Sequence, residues 1–226
     1  FEAQWRRGEP LLEDVPPGFF PEDFTPYPHQ KYGMARVRHW PRSWFLWEMR
    51  TGKTRTVIDG LRLLELDGRF KRALVLGPPV VLTSWLAETK RASRGAWKAV
   101  LWDGTEEACA AAREAQIVLA SYARVRLEAT QEIPHPQFGT MRVYAPEQSR
   151  LKRLGYDVIV ADESHNLSNW ESEQTRASIE LSKVAARRYC LTGTGGDDPR
   201  KLYGQLYFLA PGLVPLPWDK FVAKHV

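Results

Sequence analysis

Short apolar runs alternate with helical patterns along most of the chain, and this rhythm constrains the fold more than any other feature. The runs lie near residues 45–47, 73–77, 99–102, 117–120, 157–161 and 188–191. Helical patterns fall near residues 30–37, 53–66, 80–91, 105–114 and 172–185. Strands that are joined through helices pair in parallel and are covered on both faces. The sequence therefore predicts a three-layer α/β/α domain with a mainly parallel central sheet, which binds its ligands at the carboxyl ends of the strands.

A Gly-Lys-Thr triplet at residues 52–54 separates the first apolar run from the first long helical pattern. In loops of this kind backbone N–H groups cradle phosphates, the lysine neutralises their charge and the threonine hydroxyl binds Mg²⁺. The full pattern has a glycine five residues before Gly52, where this chain has Trp47, so the triplet alone is compatible with chance. Its position between a strand and a helix favours a phosphate-binding loop. The loop residues expected to contact the nucleotide are Arg50, Thr51, Gly52, Lys53 and Thr54.

Asp162 and Glu163 directly follow the apolar run at residues 157–161. A carboxylate at the end of a buried strand is costly to desolvate unless a metal ion or another partner compensates its charge. Together with the upstream triplet, the pair indicates an ATP site in which Asp162 supports Mg²⁺ and Glu163 orients and deprotonates the attacking water. The alternative is that both carboxylates cap the following helix.

Thr192, Gly193 and Thr194 follow the last predicted strand. Small hydroxyl side chains at the carboxyl end of a strand can sense a nearby phosphate and pass its state to a bound nucleic acid. A tripeptide of this composition is also typical of a plain turn. Its position after the acidic pair favours the phosphate-sensing interpretation.

These segments follow the order found in superfamily 2 helicases, and the chain resembles the Swi/Snf-type DNA translocases within that superfamily. The resemblance extends from about Pro26 to residue 226. It rests on residues 27–30, 48–54, 74–78, 84–85, 118–122, 162–165, 191–194, 202–209 and 211–212. It implies a RecA-like P-loop domain over residues 26–226. Residues 1–25 contain many prolines and aromatic residues, which predicts an irregular arm packed on this domain.

The resemblance also implies roles for individual residues. Gln30 is expected to contact the adenine base. His165 is expected to connect the acidic pair to residues 192–194, which would couple ATP hydrolysis to DNA binding. Contacts to the phosphate backbone of duplex DNA are expected from Ser84, Ser121, Tyr122 and Arg124, with Arg91 and Arg94 as further sources of positive charge. Such contacts predict steep salt dependence and little sequence preference.

The chain departs from the Swi/Snf pattern in two places. Arg50 stands where glycine is usual, as in phage and bacterial variants, and residues 195–198 replace the usual proline-led continuation, which leaves the conformation of that loop open. The family also has a second RecA-like lobe, whose arginine completes the ATP site and which residues 195–226 cannot supply. The expected function is therefore the N-terminal ATP-binding lobe of an ATP-dependent translocase on duplex DNA, inefficient as a hydrolase alone. The alternatives are a non-catalytic nucleotide-dependent scaffold and the lobe of an RNA helicase.

The composition is compatible with this interpretation. The net charge of +5 suits a polyanionic partner, although a solvated surface gives the same balance. Cys109 and Cys190 occur singly, so neither a disulfide framework nor a zinc site is expected. No apolar run approaches ~18 residues and no signal-peptide pattern is present. The sequence therefore predicts an intracellular protein, in the cytoplasm or on the nucleoid, or in the host cytoplasm for a phage protein.

Residues 128–154 are the main interruption of the strand–helix rhythm. Pro134 and Pro136 precede a strand-like segment at residues 141–144. A β-hairpin beside the DNA groove is one interpretation, and a variable surface connection is the favoured one.

Overall fold

The central feature of the molecule is a six-stranded parallel sheet. The computed structural model describes residues 15–136, 139–194, 198–214 and 217–225. The strands are β1 (Arg42–Leu46), β2 (Ala73–Gly77), β3 (Ala99–Leu101), β4 (Ile117–Ser121), β5 (Thr130–His135), β6 (Gly139–Tyr144), β7 (Val158–Asp162) and β8 (Arg187–Thr192). The sheet has the order β1-β8-β7-β2-β4-β3, and β5 pairs with β6 alone.

Helices follow most of these strands. They are α1 (Pro28–His39), α2 (Lys53–Leu66), α3 (Pro79–Ala92), α4 (Glu106–Ala112), α5 (Tyr122–Glu128), α6 (Arg150–Arg153), α7 (Glu173–Ser182), α8 (Pro199–Leu209) and α9 (Trp218–His225). Short 3₁₀ turns occupy Pro146–Gln148, Ser164–Leu167 and Pro211–Leu213. Every strand and helix of the predicted rhythm is present, with ends shifted by up to three residues. None of the described helices is long and apolar enough to cross a membrane.

Alternating residues of the sheet enter two apolar layers. Leu74 and Leu76 of β2 face one layer, which also contains apolar side chains of α4, α5, α7 and α8. Ala73 and Val75 face the other layer, together with side chains of α1, α2 and α3. Strands β2 and β7 are buried along their whole length, as expected for parallel strands that are covered on both faces. The predicted three-layer α/β/α fold is therefore confirmed.

The strand order decides which loops meet. Because all six strands are parallel, their carboxyl ends lie along one edge of the sheet. Strand β8 lies between β1 and β7, and β7 in turn pairs with β2. Thr192 and Asp162 are the last residues of β8 and β7, and the phosphate-loop triplet follows the neighbouring β1.

Residues 15–27 form neither helix nor strand, and part of this arm packs on α1 and α2. Phe19 is buried against Met34 and Leu63. The Arg62 guanidinium lies 4.2 Å from the centre of the Phe19 ring and donates to the Phe19 carbonyl at 2.9 Å. Arg55 lies 3.9 Å from the centre of the Phe24 ring. Cation–π contacts of this kind attach the arm to the helix that starts with Lys53.

Arg91 and Arg94 also bind the arm. Arg91 pairs with Asp23 at 2.9 Å, and Arg94 donates to the carbonyl oxygens of Gly18 at 3.0 Å and Phe20 at 2.8 Å. The expectation that these two arginines add charge to a DNA surface is therefore not supported, because both guanidinium groups are directed to the arm.

Residues 128–154 contain a β-hairpin, the structure named in one of the two interpretations of this stretch, and its position beside a DNA groove stays a prediction. Strands β5 and β6 pair in antiparallel register from Thr130 with Tyr144 to His135 with Gly139. The hairpin is largely exposed, and its base is closed by a 2.8 Å hydrogen bond from Ala145 N to Ala129 O. The prolines did not prevent pairing, because a two-stranded ribbon tolerates a residue that lacks an N–H donor.

Candidate nucleotide site and nucleic-acid interface

The phosphate loop joins β1 to α2. Gly52 adopts a left-handed conformation with φ of 80° and stands directly before the first residue of α2, where backbone N–H groups are free to bind an anion. Lys53 Nζ donates to the carbonyl oxygens of Trp47 at 2.8 Å and Glu48 at 2.9 Å. The lysine is thus directed back across the loop, and an incoming phosphate would compete with these two carbonyls for its ammonium group.

Gln30 lies on the same loop. Its Oε1 accepts from Tyr27 N at 2.9 Å, and its Nε2 donates to Thr51 O at 3.2 Å. The adjacent His29 places Nε2 at 3.0 Å from the same carbonyl and stacks on Tyr27, which is exposed. The predicted adenine contact of Gln30 stays a prediction, whereas its bond to the phosphate loop is a feature that the sequence did not indicate.

Asp162 ends β7 and is only 3% exposed. Its Oδ2 accepts from Trp85 Nε1 at 2.7 Å, its Oδ1 from Glu163 N at 2.8 Å, and its carbonyl oxygen from the Tyr122 hydroxyl at 2.9 Å. Burial raises the pKa of Asp162, while the N–H groups of Trp85 and Glu163 and the charge of Lys53 act in the opposite direction. The lysine of the phosphate loop and the acidic pair therefore belong to one electrostatic site.

Glu163 has a left-handed backbone, with φ of 49°. This conformation is strained for a residue with a side chain, and such strain is common at functional sites. Glu163 Oε2 lies 3.3 Å from His165 Nδ1, and its carbonyl oxygen accepts from Asn166 Nδ2 at 2.8 Å. The carboxylate is partly exposed, so water can reach it. The expectation of a plain helix cap does not describe this carboxylate, which bonds to no backbone N–H among the described contacts.

The residues of the predicted coupling segment meet the other two segments. His165 Nδ1 lies 3.4 Å from Thr192 Oγ1, which accepts from Thr194 N at 3.2 Å. A Cβ atom on Gly193 would lie 3.4 Å from Met49 Cγ, which shows how closely this glycine approaches the phosphate loop. The structure therefore joins the three segments, although the coupling role itself remains a prediction.

The donor set fits a magnesium ion at a nucleotide. Mg²⁺ in such sites is held by one or two protein oxygens, with phosphates and water completing its six ligands. A buried Asp162 carboxylate and the half-buried Thr54 hydroxyl beside the phosphate loop are oxygen donors of this type. Among the described residues no group of three or more His, Cys, Asp or Glu side chains is placed to hold a metal ion.

The predicted DNA contacts differ in accessibility. Ser84 is exposed on α3 and Ser121 is half-buried at the start of α5, where its Oγ accepts from Arg124 N at 3.1 Å. Tyr122 is 3% exposed, and its hydroxyl faces Asp162. The buried Tyr122 phenol is therefore directed to Asp162 and away from solvent, and the expected contact of this residue with DNA stays a prediction. Arg124 is half-buried and keeps its predicted role as a candidate contact.

Trp85 and Gln205 were not expected at the site. Trp85 is fully buried and bonded to Asp162, while Gln205 accepts from the Ser164 hydroxyl at 2.6 Å. The signal for Trp85 was present in the sequence, because Leu82, Trp85 and Thr89 lie on one face of a helix. No periodicity indicates the contact of Gln205, which depends on how α8 packs on the acidic loop.

A lysine-bearing loop at a helix start, together with an acidic pair at the end of a neighbouring buried strand, places the molecule among RecA-like P-loop domains. Sequence comparison is more specific. The sequence pattern of the SNF2-related domain matches residues 35–221, and the chain belongs to this family.

Curated relatives agree with this assignment. The chain is 29% identical over 158 residues to DNA repair protein rad5 of Neurospora crassa. The aligned region covers 66% of this chain and 12% of the relative. It is 32% identical over 171 residues to Chromodomain-helicase-DNA-binding protein 1-like of Mus musculus, covering 74% and 17% respectively. The chain thus spans less than a fifth of the length of either relative.

Solved structures show the same fold. The Sulfolobus solfataricus SWI2/SNF2 ATPase core in complex with dsDNA superposes with a TM-score of 0.74 at 21% identity, over 94% of this chain and 41% of that chain. The Sulfolobus solfataricus SWI2/SNF2 ATPase core domain superposes with a TM-score of 0.70 at 21% identity, over 93% of this chain and 39% of that chain.

Proposed function

We propose that the chain is the ATP-binding lobe of a DNA-dependent ATPase that moves along duplex DNA. The observation that carries this proposal is the meeting of Lys53, Asp162 and Thr192 at one edge of the sheet, with Ser84 and Ser121 at the carboxyl side of two further strands of that edge. Membership in the SNF2-related family and the named relatives support ATP as the nucleotide and duplex DNA as the partner.

Each side chain has a defined task in this proposal. The backbone of the loop and Lys53 bind the phosphates, and Thr54 and Asp162 hold Mg²⁺, which neutralises charge on the transferred phosphoryl group. Glu163 is the partly exposed carboxylate that accepts the proton of the attacking water. His165 connects Glu163 to Thr192 and so reports the state of the nucleotide to the neighbouring strand.

A second RecA-like lobe is part of the proposal. An arginine supplied from outside a lobe can increase the rate of phosphoryl transfer about 10³–10⁵-fold. The chain alone should therefore bind Mg·ATP but hydrolyse it slowly, and the complete protein should hydrolyse it fast when duplex DNA is bound. A protein that moves along duplex DNA works in the compartment that contains DNA.

The test compares two variants in two assays. Lys53→Ala should weaken binding of a fluorescent ATP analogue to this chain about tenfold or more, because the lysine is the main positive charge at the phosphates. Lys98→Ala is the matched control, since Lys98 is exposed and pairs with Glu114. In the complete protein Glu163→Gln should retain binding and lose hydrolysis that depends on duplex DNA. Binding without any hydrolysis by the unmodified complete protein would favour the scaffold, and stimulation by RNA alone would favour an RNA helicase.

A further inference from the structure

Two serine–aromatic pairs connect the predicted DNA surface to the magnesium aspartate. Ser84 and Ser121, the predicted DNA contacts, are each followed by an aromatic residue, Trp85 and Tyr122. Both aromatic side chains point into the protein. Trp85 is fully buried, and Tyr122 is 3% exposed. Both donate a hydrogen bond to Asp162.

The two bonds hold different parts of the same residue. Trp85 Nε1 binds the carboxylate Oδ2 at 2.7 Å, and Tyr122 binds the backbone carbonyl at 2.9 Å. The donors come from α3 and α5, which follow β2 and β4. In the strand order both of these strands lie beyond β7 in the direction away from β8, so neither donor comes from an element next to β8. The remaining carboxylate oxygen, Oδ1, is bonded only to Glu163 N within the described contacts. The side chain and main chain of Asp162 are thus fixed by the same two helices that present the serines.

We propose that Trp85 and Tyr122 are positioning residues that transmit DNA binding at the two serine segments to the Mg²⁺ ligand Asp162. This proposal rests on the proposed function, since it needs both a bound nucleotide and duplex DNA. A DNA strand that engages α3 or the start of α5 shifts or stiffens these elements. The shift reaches Asp162 through one hydrogen bond on each path, at the carboxylate through Trp85 and at the backbone carbonyl through Tyr122. Because coupling between two binding sites is reciprocal, a bound Mg·ATP also strengthens DNA binding through the same bonds.

The chain offers matched controls for both substitutions. Trp85→Phe and Tyr122→Phe each remove one donor and keep most of the buried ring. Trp97→Phe removes an indole that donates to Glu65 at 2.9 Å on another part of the domain. Tyr156→Phe removes a buried hydroxyl that has no hydrogen-bond partner among the described residues. The two controls therefore show how the same substitutions affect stability at sites that do not contact Asp162.

The experiment measures the Mg²⁺ concentration at which binding of a fluorescent ATP analogue to the chain is half-maximal, with and without a blunt-ended DNA duplex. Unmodified protein should need less Mg²⁺ when the duplex is present. Trp85→Phe should raise the requirement about tenfold, because it leaves a buried carboxylate oxygen without its donor. Both test variants should also reduce the effect of the duplex, with Tyr122→Phe the milder of the two. Trp97→Phe and Tyr156→Phe should behave like the unmodified protein.

Two results would overturn the proposal, and they are distinguishable. If the unmodified chain binds the analogue with no dependence on Mg²⁺, the proposed function fails and the positioning role fails with it. If the unmodified chain depends on Mg²⁺ but the two test variants match their controls, only the positioning role fails. A melting temperature for each variant identifies those that unfold. If Trp85→Phe unfolds, Trp85→His takes its place, and because it keeps a ring N–H donor it should keep part of the Mg²⁺ response.

Discussion

The side-chain amide of Gln30 lies against Gly52, so closely that a Cβ atom on Gly52 would come within 2.3 Å of Gln30 Nε2. The amide is held in that position by its bonds to Tyr27 N and Thr51 O. A side chain at position 52 therefore has to displace Gln30 as well as tolerate a left-handed backbone. Because of this contact, we expect the phosphate loop and the predicted adenine-binding side chain to move together.

Gly52→Ala should weaken binding of an ATP analogue about tenfold, since a loop distortion of about 1–2 kcal/mol corresponds to that change in Kd. Gly68→Ala is the matched control, because Gly68 has a similar φ of 66° and open space where the Cβ would lie. Both variants should lose thermal stability from backbone strain, and Gly52→Ala should lose more because its Cβ also displaces Gln30. Equal nucleotide affinity in the two variants would show that the contact with Gln30 has no consequence for binding.

Arg50 has φ of 63°, a left-handed conformation that glycine adopts freely. The departure from the Swi/Snf pattern thus places a strained residue in the phosphate loop. Arg50→Gly should be more stable than Arg50→Ala by about 1 kcal/mol, because both lose the guanidinium and only glycine relieves the strain. Thermal unfolding of the two variants measures this difference. A more stable Arg50→Ala protein would indicate that the strain is negligible.

Asp59 has a completely buried side chain and binds two arginines, with Oδ2 at 2.6 Å from Arg55 Nε and Oδ1 at 2.9 Å from Arg62 Nη1. Asp59→Ala leaves these partly buried cations without their counter-charge, and we expect a loss of about 3–5 kcal/mol in the free energy of unfolding. Because Arg62 also binds Phe19, the arm should become sensitive to protease. Chemical denaturation and limited proteolysis measure the two effects.

Glu114→Ala is the control for Asp59→Ala. The ion pair of Glu114 with Lys98 is exposed on both sides, so its removal should produce no measurable loss of stability and no change in proteolysis. Similar behaviour of the two variants would contradict the attachment of the arm through the buried cluster.

The hairpin of β5 and β6 can be removed at its base. Ala129 and Ala145 are joined by a backbone hydrogen bond, so a short Gly-Ser link can replace residues 130–144 without moving its ends. We expect the shortened protein to keep its melting temperature within a few degrees and its affinity for an ATP analogue. Duplex binding at several salt concentrations then reports on the hairpin itself: a reduced salt slope would place it on the DNA, and an unchanged slope would place it elsewhere.

Local patterns predicted the sheet and the motif positions because they depend on residues that are close in sequence. A triplet such as Gly52-Lys53-Thr54 between a strand and a helix needs no knowledge of the remaining chain, and the strand ends follow from apolar runs. The orientation of Tyr122 and the contacts of Arg91 and Arg94 depend instead on segments far away in sequence. A resemblance transfers the position of a residue in a motif, whereas packing decides which way its side chain points. The predictions for residues 1–14 and 195–197 concern parts of the chain outside the described residues.

The attachment of residues 15–24 to α2 has a further consequence. Two of the four arginines that hold the arm, Arg55 and Arg62, lie on the helix whose first residue is Lys53. Lifting the arm away would uncover Phe19 and leave the outer face of that helix without its neighbours. The arm thus braces the helix that starts with Lys53, so that the rigidity of the phosphate-binding end depends in part on a segment that lies far before it in the sequence.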